Sequence, residues 1–101
     1  QAMKTVTITF LGKPVTLALV EHRYVDNGRL AVEAVDAVTG EPFGMVTVNL
    51  DTPLADNEVC VKVWSENAPW VPQVLAALKW EYTGRDVPTG FVRAPVYKIA
   101  S

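Results

Sequence analysis

Hydrophobic and polar residues alternate along most of this chain, which is the pattern of β-strands that bury one face. The first run spans residues 4–11, and the second follows Pro14. A two-residue loop at Gly12–Lys13 would place Phe10 opposite Val15, so that apolar residues face each other throughout. A slip of one residue would mismatch every pair. The predicted partners are Phe10 with Val15, Ile8 with Leu17 and Val6 with Leu19, with the threonines outside the core.

Four further runs predict strands at residues 29–38, 45–50, 58–64 and 91–99. Asn27-Gly28 favours a tight turn before the first of them, with His22 opposite Glu33 if its loop has two residues. The register of this second hairpin stays open, since a longer loop or a bulge also fits the pattern. Pro95 lies inside the last run and indicates an edge strand or a bulge, because proline has no amide hydrogen to donate.

One stretch changes to the helical period, with apolar residues at positions 71, 74, 75 and 78. Pro72 predicts that the regular helix begins near it, with residues 66–70 forming a separate turn, and Thr83-Gly84 is a plausible end. We therefore expect one α+β domain over residues 3–101. It should contain a largely antiparallel sheet of five or six strands, with one helix at about residues 70–80 packed on one face. Gln1 and Ala2 precede a methionine and are interpreted as an expression scar.

The composition excludes several classes of function but does not indicate a particular one. Half of the 101 residues are hydrophobic and the net charge is −2, which argues against a broad duplex-binding surface. One cysteine and one histidine do not suffice for an internal disulfide or a Cys/His zinc site, so we predict no metal and no cofactor. Cys60 is expected to pack as a small apolar side chain. No apolar run reaches the length of a membrane helix, and a cytoplasmic location is expected.

No set of residues in the sequence resembles a catalytic centre, so the chain is not expected to be an enzyme. His22 and Glu33 suit a surface salt bridge better than an acid–base pair, because no nucleophile lies near them in sequence. Four carboxylates surround one loop without the spacing of a calcium site, and we interpret them as solvated charge. They are Asp51, Asp56, Glu58 and Glu66.

The polar corner at residues 65–67, between a strand and the helix, is the best candidate for a binding site. Ser65 or Asn67 is expected to accept backbone amide hydrogen bonds as a cap, so that Asn67→Ala would cost about 1 kcal/mol of stability. Glu66 has less structural work to do, which makes it the first candidate for a functional side chain. The predicted binding residues are Lys62, Trp64, Glu66, Asn67 and Trp70.

The stretch Lys62-Val63-Trp64-Ser65-Glu66-Asn67, the hairpin at residues 11–15 and the segments at 90–92 and 95–97 resemble a small domain-of-unknown-function family. Members of that family are carried by conjugative and other mobile elements of gut bacteria. The family pattern continues after the asparagine with an acidic residue and a glycine, where this chain has Ala68-Pro69. The resemblance implies a bacterial cytoplasm and an accessory role for a mobile element, and it carries no catalytic residue with it.

Two functions follow as hypotheses. The first is a non-enzymatic interaction module whose partner is another protein, for instance one of the host or of its defence. The alternative is a weak single-stranded nucleic-acid binder that stacks bases on Trp64 and Trp70. Its phosphate contacts would come from the basic residues Lys79, Arg85, Arg93 and Lys98. Nucleic acid is the less expected partner of the two.

Overall fold

The computed structural model describes residues 2–99, with side chains from residue 4 onward. Its strands are β1 (Ala2–Phe10), β2 (Lys13–Arg23), β3 (Leu30–Asp36), β4 (Pro42–Met45), β5 (Thr47–Val48), β6 (Glu58–Val61), β7 (Glu81–Thr89) and β8 (Val92–Lys98). A 3-10 helix (Ser65–Asn67) and one α-helix, α1 (Val71–Leu78), join β6 to β7. Ala2, interpreted from the sequence as part of a scar, pairs with Val20 in β1, and Gln1 lies outside the described residues.

The strands form two four-stranded antiparallel sheets, so the prediction of one sheet with five or six strands was wrong. The first sheet has the order β1-β2-β3-β4, and the second has the order β5-β6-β8-β7. Within residues 2–99 there is one α-helix beside the strands, in agreement with the predicted α+β class. The alternation of apolar residues predicts strands but not which strands pair. The division into two sheets could therefore not be predicted from that pattern.

The chain passes from the first sheet to the second at Val46, in the middle of the run predicted as one strand. The Val46 amide donates to the Val32 carbonyl in β3, and the Val46 carbonyl accepts from the Lys62 amide, each at 2.9 Å. The next residue, Thr47, adds a side-chain bond, since its hydroxyl accepts from the Val32 amide at 3.1 Å. One continuous segment therefore belongs to both sheets.

The first hairpin has the predicted faces but a different register. Its loop is Leu11-Gly12, with φ of 53° and 77°, the positive angles of a type I′ turn. Phe10 therefore pairs with Lys13 and Ile8 with Val15, so the predicted partners were wrong by two residues. A shift of two keeps every side chain on its own face, and the threonine face indeed lies outside while Ile8 is buried.

The second hairpin has the longer of the loops that the sequence left open. Val20 pairs with Glu33 and His22 with Ala31, and residues 24–29 form the connection. His22 still reaches Glu33 diagonally, with 3.0 Å between its Nε2 and the carboxylate Oε1. The two side chains predicted to pair at the surface thus meet as a cross-strand hydrogen bond, which is a salt bridge when the imidazole is protonated; His22 is exposed and Glu33 half-buried.

The helix agrees with its prediction at the start and differs at the end. Pro72 occupies the first turn, and the separate turn before the helix is present as the 3-10 helix. Lys79 adopts a left-handed conformation with φ of 58° and donates its amide to the Leu75 carbonyl, which ends α1 there. The predicted end at Thr83-Gly84 was wrong, since both residues lie in β7.

The pairing of β7 with β8 shows how Pro95 is accommodated inside a strand. Pro95 pairs with Asp86 beside a register shift between Tyr82 and Asp86, so the predicted bulge is confirmed. The predicted edge position was wrong, because β8 lies between β6 and β7. The bulge includes Gly84, whose φ of 88° suits glycine.

The main core lies between the two sheets and α1. It contains Val6, Ile8, Leu17, Leu19, Val32, Ala34, Val46, Val59, Val61, Trp70, Val71, Val74, Leu75, Leu78 and Trp80. A smaller cluster on the other face of the second sheet contains Cys60, Ala94 and Val96, with Trp64 packed against it. Cys60 is a buried free thiol, as expected, and its burial raises the pKa of the thiol. Among the described residues, no helix is long and apolar enough to cross a membrane.

Candidate functional site

The polar corner connects β6 to α1 through one 3-10 turn. Ser65 has a left-handed φ of 57°, which turns the chain out of the strand direction. The Asn67 amide then donates to the Trp64 carbonyl, and the Trp70 amide to the Asn67 carbonyl, both at 3.1 Å. Backbone bonds therefore close both turns, and neither the 3-10 helix nor α1 has a side-chain cap. The predicted capping role of Ser65 or Asn67 was wrong.

Asn67 instead acts as a buried hydrogen-bond donor. Its side-chain Nδ2 donates to the Met45 carbonyl at 2.6 Å and to the Lys62 carbonyl at 3.0 Å. Only 1% of the residue is exposed, so water does not replace these bonds easily. The amide joins the end of β4 to the segment after β6, which makes Asn67 a structural residue of the corner and not part of an open binding surface.

Lys62 and Glu66 form an ion pair on the surface of the same corner. The Lys62 ammonium lies 2.6 Å from the Glu66 carboxylate, and 67% of the Glu66 side chain is exposed. The hydrogen bond from Lys62, followed by those from the Glu66 amide and the Ser65 hydroxyl, lowers the pKa of Glu66 to about 2. A carboxylate with so low a pKa is only weakly basic and holds no proton to donate at neutral pH, so it suits neither general base nor general acid catalysis. Its open position is compatible with contact to a partner.

The low pKa of Glu66 predicts a loss of stability in acid. The usual value is 4.5 and the folded value about 2, so the stabilisation is complete above about pH 4.5 and disappears as the pH falls toward 2. An NMR titration of the Glu66 carboxyl should give a midpoint near 2, and Lys62→Met should move it up toward 4.5. Because the pair is exposed, added salt should weaken the shift. A midpoint of Glu66 unchanged by Lys62→Met would contradict the pairing.

The two tryptophans of the predicted site occupy different environments. Trp70 is 2% exposed and lies in the main core, where its ring meets Phe43 edge to face with 5.0 Å between centroids. Gly44 leaves room for it, since a Cβ there would lie 2.8 Å from the ring. Trp64 is half-buried against the smaller cluster around Cys60. Trp70 therefore offers no free face for stacking, and Trp64 offers part of one.

One of the basic residues of the C-terminal third, Arg85, forms an ion pair. Arg85 lies 2.6 Å from the Glu58 carboxylate. The Ala55 amide and then Arg85 lower the pKa of that carboxyl. Arg93 donates to the Asp86 carbonyl at 3.4 Å, while Lys98 is exposed. Ion pairing of this kind reduces the positive charge that a nucleic-acid backbone would meet.

A cleft of about 240 Å³ opens beside the Asn27-Gly28 turn and is lined by both signs of charge. Arg23, Arg29, Asp56 and Glu58 are the charged residues of its lining. Arg29 is already engaged, because its guanidinium donates to the Leu50 carbonyl at 2.8 Å. With two cations and two carboxylates in its lining, the cleft does not favour a ligand of either sign.

An open and mostly apolar concavity lies between α1 and the second sheet. It has a volume of about 490 Å³, and we call it the aromatic groove. Its lining residues are Val63, Pro72, Leu75, Ala76, Trp80, Tyr82, Pro95 and Tyr97. None of them carries a charge at neutral pH, and Tyr82 leaves 47% of its surface exposed. Exposed aromatic area of this kind is enriched at protein interfaces.

Two tyrosines form the wall of the groove that belongs to the second sheet. The rings of Tyr82 and Tyr97 lie 5.5 Å apart with a tilt of 44°. The Tyr82 hydroxyl donates to Asp86 at 2.8 Å, and this bond raises the pKa of the phenol and fixes the direction of the ring. The wall is thus held in place before any partner arrives, which reduces the ordering cost of binding.

The sequence missed most of this groove. Trp80, Tyr82 and Tyr97 were not among the predicted binding residues. The strand β7, which carries Tyr82, was not predicted because Gly84 and Pro88 are typical of loops. Gly90 could have indicated β7, because a glycine between two runs of β-forming residues is typical of a hairpin turn. In the structure, Gly90 and Phe91 form the turn from β7 to β8. Val63 in the groove directly follows Lys62, which is the one link between the groove and the predicted site.

No cluster among the described side chains suggests a metal centre. Within residues 4–99, no three His, Cys, Asp or Glu side chains come close enough to share an ion. Every buried side-chain nitrogen and oxygen of that part has a hydrogen-bond partner. The chain matches no family model, no curated protein and no solved structure. The geometry of the aromatic groove is therefore the main guide to function.

Proposed function

We propose that this domain is a non-enzymatic protein-interaction module that binds its partner in the aromatic groove. The observation that carries the proposal is the concentration of apolar and aromatic side chains around one open concavity of a small domain. Interface centres are enriched in aromatic residues and depleted of charge, as this groove is. Tyr82, Pro72 and Ala76 are all exposed there, and Trp80 forms the floor.

The partner that this lining favours is an extended segment that contains proline. Proline-rich segments in the polyproline II conformation dock into grooves lined by aromatic rings, because their shape is already ordered before binding. The rings of Tyr82 and Tyr97 supply such a lining, and the edge of the buried Trp80 lies beneath them.

The resemblance to a family carried by mobile elements supports an accessory role in a bacterial cytoplasm. On that basis, we propose that the partner is a protein of the host or of the element. The alternative, a single-stranded nucleic-acid binder, has less support because Trp70 is in the core and Arg85 is paired with Glu58. Binding to labelled oligonucleotides that is tight and falls steeply with salt would favour the alternative.

The groove can be tested with two neighbouring alanines on α1. Ala76 lines the groove, whereas Ala77 is exposed on the same helix outside it. Ala76→Glu would place a charge against the aromatic lining, and we expect it to weaken partner binding about tenfold or more. Ala77→Glu adds the same charge one residue away and should leave binding within about twofold, as surface changes usually do.

The measurement has two parts. Both variants and the wild type are used to capture proteins from the lysate of a gut bacterium, and the proteins are quantified by mass spectrometry. A photo-crosslinking residue placed at position 76, with position 77 as control, then identifies which captured protein contacts the groove. Equal capture by the two glutamate variants, or no crosslink specific to position 76, would contradict the proposal.

A further inference from the structure

The outer edge of β1 carries backbone groups that point away from the rest of the sheet. The Thr9 amide donates to the Gln73 side-chain oxygen at 2.9 Å, and the Gln73 side-chain nitrogen donates to the Thr9 carbonyl at 2.8 Å. Thr9 therefore directs both groups away from β2. Because side chains and hydrogen bonds alternate along an antiparallel strand, Thr7 and Thr5 direct their backbone groups to the same edge.

Gln73 covers only one end of this edge. The Gln73 side chain is held in position by a third bond, from its nitrogen to the Pro69 carbonyl at 2.9 Å. It therefore satisfies the outward amide and carbonyl of Thr9 in the way that a residue of an adjacent strand would. Thr5 and Thr7 lie beyond its reach and are exposed. The segment Lys4–Phe10 pairs with β2 without a register shift and contains no proline.

The other sheet edges in the described part of the chain are protected. β4 begins with Pro42 and has four residues, and β5 has only two. β7 contains a bulge and Pro88, which has no amide hydrogen to offer. Short strands, bulges and prolines are the usual means of preventing edge-to-edge pairing. A regular, unprotected edge such as that of β1 is therefore a site for the addition of a strand.

We propose that β1 pairs with β1 of a second copy of this chain, antiparallel, so that the two first sheets become one continuous eight-stranded sheet. The edge suits a second copy because, under twofold symmetry, the outward amides of one β1 meet the outward carbonyls of the other. With Val6 opposite Val6 of the second copy, Thr5 faces Thr7 and Thr7 faces Thr5. These two residue pairs exchange four backbone hydrogen bonds, and the buried valine faces become neighbours.

Two side chains select this register from its alternatives. Centring the pair on Thr7 would require Thr9 to pair with Thr5, but Gln73 already occupies the Thr9 backbone. Centring it on Thr5 would bring the two Lys4 side chains to an offset of about 7 Å along the strands. With Val6 at the centre the offset is about 13 Å, which exceeds the screening length of about 8 Å at physiological salt. Lys4 is the charged residue of β1, so charge favours the same register that Gln73 leaves open.

The proposal predicts a weak dimer that depends on the Thr7 amide. Sedimentation equilibrium from about 10 µM to 1 mM should show association of the wild type, because four bonds on a short edge give modest affinity. Thr7→Pro removes an outward amide without removing a bond to β2, and it should weaken association about tenfold or more. Thr7→Val keeps the amide and the strand preference and should associate within about twofold of the wild type.

Cross-linking tests the register even if Thr7→Pro does not fold. A residue opposite itself at a non-hydrogen-bonded site has its Cα about 4.5 Å from its counterpart, which a disulfide can bridge. Val6→Cys should therefore form a symmetric disulfide dimer under mild oxidation. Ile8→Cys, on the same buried face, would lie opposite Lys4 and should remain at the background of the wild type with its buried Cys60. A wild type that stays monomeric at 1 mM, or cross-linking equal at positions 6 and 8, would overturn the proposal.

Discussion

Replacing Asn67 by aspartate should destabilise the domain by about 3 kcal/mol or more, and replacing it by alanine by about 2 kcal/mol. The alanine variant leaves two carbonyls in the corner without their donor, those of Met45 and Lys62. The aspartate variant keeps the shape of the side chain but directs a carboxylate oxygen at carbonyl oxygens. Urea denaturation monitored by tryptophan fluorescence measures both changes in the free energy of unfolding.

The order of the two variants separates a donor from a cap. Aspartate caps helices as well as asparagine does, so a capping role would leave Asn67→Asp near the stability of the wild type. Asn57→Asp is the matched control, because Asn57 is an exposed asparagine of the loop before β6. If Asn67→Asp is as stable as Asn57→Asp, the donor role is wrong.

Trp70→Ala should cost about 4 kcal/mol, a large part of the stability of a domain of this size. The ring is 2% exposed, packs edge to face on Phe43 and fills the space that Gly44 leaves open. Its removal opens a cavity bounded by two sheets and a helix that cannot all move inward. We expect a large drop in the denaturation midpoint in urea or, in the limit, a chain that does not fold.

Trp64→Ala provides the comparison for Trp70. Trp64 is half-buried beside the smaller cluster, so its removal should cost about 1–2 kcal/mol, because less area returns to water and no closed cavity forms. Equal losses for the two tryptophans would contradict the assignment of Trp70 to the core. If Trp70→Ala left the free energy of unfolding nearly unchanged, Trp70 would again be a candidate for an exposed binding residue.

The sequence predicted the strands and the helix well where one physical pattern dominated. The alternation around Ile8 identified both the hairpin and its buried face, and the apolar period beginning at Val71 identified α1. The register of the hairpin failed because Leu11 accepts a positive φ in the turn, which bulky residues seldom do. β7 was missed because Gly84 and Pro88 are typical of loops, and only the pairing with β8 makes that segment a strand.

The candidate site was harder to predict, since residue type does not give orientation. An asparagine side chain both donates and accepts, so the sequence identified Asn67 as important but could not say that its nitrogen faces two carbonyls. The ion pair of Lys62 with Glu66 was not foreseen, although both residues were singled out. The aromatic groove depends on Tyr82 and Tyr97 meeting across two strands, one of which the pattern did not reveal.

The passage of the chain through Val46 has a consequence for cooperativity. The Val46 amide is bonded to Val32 in the first sheet, and its carbonyl is bonded to Lys62, which follows β6 of the second sheet. Disorder of either sheet at this point would therefore break a hydrogen bond of the segment that continues into the other. The two residues of β5 are too few to hold an edge without the strand that precedes them. We therefore expect the domain to unfold as a single unit, so that a free energy measured on any one variant reports on both sheets together.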